Sequence, residues 1–142
     1  MYKRILVPVE NGPTDDTILD HVARLAKLCK AQIVLIHVAD GWVARNIQQL
    51  DLRESEEMKE DLAYLERVQA RLRSGGVEAE AVLAAGDPAK EIGAAAEREG
   101  CDLIALATHG HRLLGDVVRG STATALRHLT RIPVLMVRAD KP

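Results

Sequence analysis

Apolar residues recur along this chain in two rhythms. Short, nearly unbroken runs at Arg4 to Val9 (R-I-L-V-P-V), Gln32 to Val38 (Q-I-V-L-I-H-V), Leu103 to Leu106 (L-I-A-L) and Ile132 to Val137 (I-P-V-L-M-V) are rich in aliphatic residues and poor in charge. They read as strands covered on both faces, the condition of a parallel sheet between helical layers. Between them, apolar positions return every three or four residues, the period of a helix with one buried face. Ile18, Val22, Leu25 and Cys29 mark such a stripe after the turn residues 10–16, where Thr14 is a candidate cap and Asp15 and Asp16 suit a first turn. Asp20, Arg24 and Lys27 are left to water.

Ala39 to Leu50, which holds Trp42, lacks a clean period and reads as a loop with a helical turn. Helical spacing returns from Asp51 to Ser74, with Met58, Leu62, Leu65, Gln69 and Leu72 on one face and a charged outer face that reads as solvated surface. Ser74-Gly75-Gly76 supplies a left-handed stop. Val77 to Leu83 alternates, with Glu78 and Glu80 to one side, as expected of an edge strand with one wet face. Gly86-Asp87-Pro88 then opens a helix, with Asp87 as cap, Pro88 in the first turn, Ile92 and Ala96 inward and Gly100 at its end. After Leu103 to Leu106 and a glycine-bearing loop, a helix is expected from Ser121, with Ala125, Leu126 and Leu129 inward, before the last strand.

Five strands alternating with four helices predict one domain over residues 1–142, a three-layer α/β/α sandwich on a parallel sheet. In such sheets ligands sit beyond the carboxyl ends of the strands, at the point where the connections change direction. The ends concerned are Pro8 to Glu10, Val38 to Asp40 and Ala107 to Gly110. The uncharged last strand, if it forms the other sheet edge, invites a second copy across a two-fold axis, so a homodimer through Ile132 to Val137 is expected.

Composition changes this picture little. Hydrophobic residues at 47% and charged residues at 28% fit a soluble globule, and a net charge of −2 with both signs interspersed offers no footprint for nucleic acid or a membrane surface. Met1-Tyr2-Lys3-Arg4 runs straight into the first strand, and no apolar run approaches the roughly 20 residues of a membrane span, so a cytoplasmic location is expected. Cys29 and Cys101 read as small core hydrophobes.

The chemistry is concentrated in Leu103 to Thr124, where a buried strand, a loop with Gly110, Gly115 and Gly120, and a helix start at Ser121 follow one another. Amides at such a junction can converge on an anion, so this stretch reads as a phosphate cradle. Gly120 permits close backbone approach, Ser121 and Thr122 bring hydroxyls, and Arg112 and Arg119 offer forked donors. His109 and His111 have no third placed ligand beside Asp116, so a zinc site is not supported. His37, inside an apolar strand, reads as a hydrogen-bonded structural residue. P-loop and dinucleotide fingerprints are absent, and H-G-H in the fourth strand's loop does not fit a nucleotidyl-transferase motif.

The opening I-L-V-P-V-E, the L-I-H-V of Leu35 to Val38, G-D-P, A-T-H-G, G-S-T and the closing I-P-V-L-M-V together resemble the universal stress protein family over the whole length. The resemblance implies a sheet of order 3-2-1-4-5, dimerisation, and binding of ATP, ADP or AMP, with or without Mg²⁺, by a stress-response sensor or regulator with at most slow hydrolysis. The family's nucleotide motif of glycine, two residues, glycine, nine residues, glycine and serine or threonine falls here on Ala107, Thr108, His109, Gly110, the nine residues 111–119, Gly120 and Ser121. Ala107 replaces the first glycine, and Glu10 stands where the family usually has aspartate. Carried over by position, the resemblance implies Val9, Glu10 and Val38, at the strand end that includes Pro8, near adenine and ribose. It implies Gly110, His111, Arg112, Gly120, Ser121 and Thr122 around the phosphates. Two readings compete with this one. A nucleotide-free dimeric interaction module is favoured by Ala107, and an ATP-consuming enzyme would have only Glu10 and Asp116 as candidate bases.

Overall fold

The computed structural model describes residues 1–40, 52–109 and 114–139, and the side chains of 40, 52–55, 109 and 114–121 are left aside. The elements are β1 (Arg4–Pro8), α1 (Asp15–Cys29), β2 (Gln32–Asp40), α2 (Leu52–Ser74), β3 (Ala79–Gly86), α3 (Pro88–Arg98), β4 (Leu103–His109), α4 (Leu114–Leu129) and β5 (Val134–Ala139). All five strands run parallel in the order β3-β2-β1-β4-β5. The order expected from the family resemblance is therefore the observed one.

Successive strand residues point to opposite faces, and the sequence exploits this on both. Ile5, Val7, Ile33, Leu35, Leu103, Ala105 and Ala107 pack under α1 and α2. Leu6, Val34, Ile36, Ile104 and Leu106 pack under α3 and α4 with Ile92, Ala96 and Leu126. Side chains on both faces are excluded from water, which is why β1, β2 and β4 read as continuous apolar runs rather than alternations. On α2 the buried stripe is Leu65, Val68 and Leu72, with Tyr64 partly covered. Leu62, expected inward, is 42% exposed, because Leu65, Val68 and Leu72 already follow a helical repeat that turns Leu62 outward.

Three helices end alike. Ala31 N–H reaches Ala26 O at 2.8 Å, Val77 N–H reaches Leu72 O at 2.9 Å and Cys101 N–H reaches Ala96 O at 2.9 Å. Lys30, Gly76 and Gly100 take the positive φ that this termination requires. Asp87 caps α3 as expected, accepting from Lys90 N–H at 3.1 Å.

Several expectations need correction. Thr14 is not a side-chain cap: its backbone is already helical and its side chain makes no capping bond, the start of α1 being organised by Asp15. The last strand begins at Val134 rather than Ile132, since Pro133 has no N–H to give the ladder. Most important, α4 begins at Leu114, not Ser121. Leu114, Val117, Val118, Ser121, Thr122, Ala125, Leu126 and Leu129 follow one another at alternating steps of three and one, a continuous helical repeat that two glycines do not interrupt. From residue 41 the expected loop around Trp42 lies outside the described residues. Among the described residues no helix is long and apolar enough to cross a membrane.

Replacing Asp87 by alanine is expected to remove about 1 kcal/mol of stability, as loss of an N-cap typically does, read from urea unfolding midpoints at unchanged m.

Candidate functional site

The direction of winding reverses between β1 and β4, and the carboxyl ends of the central strands open there. A cleft of about 210 Å³ lies at this rim, lined by Pro8, Val9, Glu10, Ile36, His37, Val38, Pro88, Ile92, Leu106 and Thr122. Its walls are largely aliphatic, with Glu10, His37 and Thr122 as polar members. Such a slot can sandwich a flat ring while a few polar groups fix its orientation.

The β1 side is set by the turn after Val9. Val9 is tied to β2 through both backbone groups: its N–H donates to Ile36 O at 2.9 Å and its carbonyl accepts from His37 Nδ1 at 2.9 Å. The next three amides converge on one carboxylate. Glu10 N–H donates to Asp15 Oδ1 at 3.1 Å, Asn11 N–H to Oδ2 at 2.8 Å and Gly12 N–H to Oδ2 at 3.3 Å. Asn11 takes φ of 63° so that its amide can join the other two. Asp15 is 1% exposed and also accepts the hydroxyl of Tyr64 at 2.7 Å. Three successive amides bent around an anion form a nest of the kind that elsewhere holds phosphate. Here the chain fills the nest itself.

His37 is held from its other side by Asp61, with Nε2 3.1 Å from Oδ2. A carbonyl and a carboxylate only accept, so the ring makes both contacts in full when each nitrogen carries hydrogen. The expectation of a hydrogen-bonded structural histidine thus describes its bonding, while its place in the cleft wall was not anticipated.

The β3 side of the cleft comes from the start of α3. Gly86 has φ of 137°, a conformation that side chains rarely adopt, so the turn that delivers Pro88 and Ile92 to the wall favours glycine.

Of the residues singled out from sequence, Pro8, Val9, Glu10, Val38 and Thr122 come together around the cleft. Ala107 does not: it is 1% exposed and packs in the core beneath α1 and α2, so its methyl group occupies space inside the protein rather than in the cleft. Thr108 pairs in register with Arg138, and His109 ends β4. Gly110, His111 and Arg112 lie outside the described residues. Gly120, Ser121 and Thr122 are inside α4. Their amides belong to the internal i to i−4 ladder rather than to a helix start, which corrects the expected convergence of those amides on an anion.

Ile36, Pro88, Ile92 and Leu106 were missed. A signal existed for Pro88, because in a parallel sheet every helix that follows a strand starts at the carboxyl rim. Among the described residues no three His, Cys, Asp or Glu side chains group to hold a metal ion. Cys29 and Cys101 are both free thiols, and burial pushes the Cys101 thiol up to about 11.

A parallel five-stranded α/β sandwich with a crevice at its switch point defines a class of doubly wound domains. Within that class, the chain matches the universal stress protein family over residues 1–138 and belongs to it. It is 30% identical to universal stress protein YxiE of Bacillus subtilis, over 97% of this chain and 100% of that protein. It is 27% identical to universal stress protein MJ0577 of Methanocaldococcus jannaschii, over 97% of this chain and 96% of that protein. The solved structure of MJ0577 superposes with a TM-score of 0.81 at 26% identity, covering 100% of this chain and 99% of that one. A family member from Burkholderia pseudomallei superposes at 0.76 with 26% identity, covering 97% of each chain.

Burial first, and then the hydrogen bond to Asp15, hold the Tyr64 phenol well above its ordinary value. Between that ordinary value near 10 and the folded one, the unfolded chain has lost a proton that the folded chain keeps, so stability falls as pH rises. Unfolding free energy is expected to drop as pH rises past about 10, and Tyr64→Phe to flatten that drop in alkaline urea titrations.

Proposed function

We propose that this chain binds an adenine nucleotide, ATP in the first place, with the base and ribose in the rim cleft and the phosphates directed beyond the end of β4. On this reading it acts as a stress-response sensor or regulator rather than as a turnover enzyme. The observation that carries it is the cleft itself: aliphatic walls from Val9, Ile36, Val38, Ile92 and Leu106 suit a purine, and the Glu10 carboxylate at its mouth suits the two hydroxyls of a ribose.

The filled nest supports the direction of the phosphates. The amides of Glu10, Asn11 and Gly12 already hold the Asp15 carboxylate, and a second anion there would meet its charge. On this reading the phosphates extend past the end of β4 and toward the Thr122 side of the cleft. Gly110, His111 and Arg112 remain proposed partners, while Gly120 and Ser121 act as parts of α4 rather than as a backbone cradle. Two fold neighbours hold adenine nucleotides: a universal stress protein in complex with cAMP, at 16% identity and TM-score 0.71, and one from Archaeoglobus fulgidus in complex with dAMP, at 20% and 0.69.

A second reading, a nucleotide-free interaction module, is favoured by the enclosure of the 120–122 amides in α4. Both readings have two copies pair along β5, the edge strand on which Met136 is 57% exposed and where Val134 to Val137 carry no charge.

Isothermal titration with ATP and Mg²⁺ is expected to give saturable binding at submillimolar nucleotide, and its absence selects the interaction module. Arg112→Ala is expected to weaken ATP by roughly tenfold while leaving adenosine unchanged, since a guanidinium bonded to phosphate is worth about that much. Met136→Lys, which puts a charge on the open edge, is expected to shift the sedimentation of the protein from dimer to monomer.

A further inference from the structure

The two halves of the cleft are joined from behind by one turn of α2. Tyr64 donates its hydroxyl to Asp15, the carboxylate that gathers the amides after β1. Asp61, three residues earlier on the same helix, meets His37 of β2 at 3.1 Å and lies 3.5 Å from Asn11 Nδ2. His37 in turn donates to the Val9 carbonyl. The two α2 side chains thus reach both strand ends that form the mouth, and neither lines the cleft.

We propose that Asp61 and Tyr64 are positioning residues that fix the turn after β1 and the His37 ring in the cleft wall, and so the affinity for whatever occupies the cleft. The identity of that occupant rests on the nucleotide reading above; the clamp does not. The three amides leave acceptor capacity on the Asp15 carboxylate for one more donor. The Tyr64 hydroxyl, a fourth donor brought by a separate helix, selects one orientation. His37 is likewise a ring on a single pivot until Asp61 holds its far nitrogen. Asp61 is 23% exposed and His37 14%, so their contact is partly shielded from water and screened less than a surface pair. Other charged groups near this assembly are Arg67, whose guanidinium lies over the Tyr64 ring at 5.8 Å from its centroid, Glu10 at the cleft, Asp16 at the start of α1 and Arg71 one helical repeat further along α2, where it pairs with Asp16 at 3.1 Å.

Simple packing of α2 makes a different prediction from a clamp, and Val68 separates them. Val68 is buried in the core on the same helix and has no polar side-chain atom with which to join these contacts, so Val68→Ala serves as the packing control. The experiment measures three quantities on Tyr64→Phe, Asp61→Ala and Val68→Ala: thermal midpoint, ATP dissociation constant by titration calorimetry, and amide hydrogen exchange at residues 9–12. Tyr64→Phe is expected to speed exchange at Glu10, Asn11 and Gly12 by about tenfold, and Asp61→Ala to speed it at Val9. Each is expected to weaken ATP by roughly five- to tenfold. Val68→Ala is expected to lower the midpoint and leave exchange at these four amides and ATP affinity as in the wild type. The proposal is overturned if Tyr64→Phe and Asp61→Ala behave as Val68→Ala does. If the wild-type protein takes up no ATP, the nucleotide reading falls by itself, and the exchange rates alone decide on the clamp.

Discussion

The Asp15 carboxylate is the fixed point of the site. It is shut away from water and meets four donors, three of them consecutive amides and one a phenol from a distant helix. A buried charge is tolerated only when its acceptor capacity is used, and here it is. The arrangement places the end of β1, the start of α1 and the middle of α2 in fixed relation, and the cleft follows from that relation. It also gives the turn a sign: amides that would attract an external anion are already neutralised.

The scaffold was legible because its physical causes are local. Strands covered on both faces need uninterrupted apolar residues, and Ile5 to Val7, Ile33 to Ile36 and Leu103 to Leu106 supply them. The cap at Asp87 and the stops at Gly76 and Gly100 are single-residue signals with one geometric meaning each. The sheet order rested on family resemblance, since no local signal says which strands pair.

The site was legible in part, and the failures have a common origin. Glycines at 115 and 120 carry the local signal of a loop, although the spacing on either side continues one helix from Leu114 to Leu129. A glycine in a helix costs only about 1 kcal/mol, which burial of Ala123 and Leu126 further along the same helix can offset. The roles of Asp15, Tyr64 and Asp61 were hidden for another reason. Tyr64 lies 49 residues from Asp15 and Asp61 lies 50 from Asn11, separations at which sequence spacing carries no geometric information. Ala107, by contrast, raised a question that packing answers: its methyl group fills core, not cleft.

The two margins of the sheet are unlike. On β3, Glu80 stands exposed and is engaged by Arg4, while β5 offers Val134 to Val137 without a charge. Arg138 is the first charge along β5, so the uncharged part of that margin is four residues long, and its backbone is the part of the sheet least protected against stray pairing. A strand approaching β3 would meet a charged side chain at once, whereas one approaching β5 would meet none before Arg138.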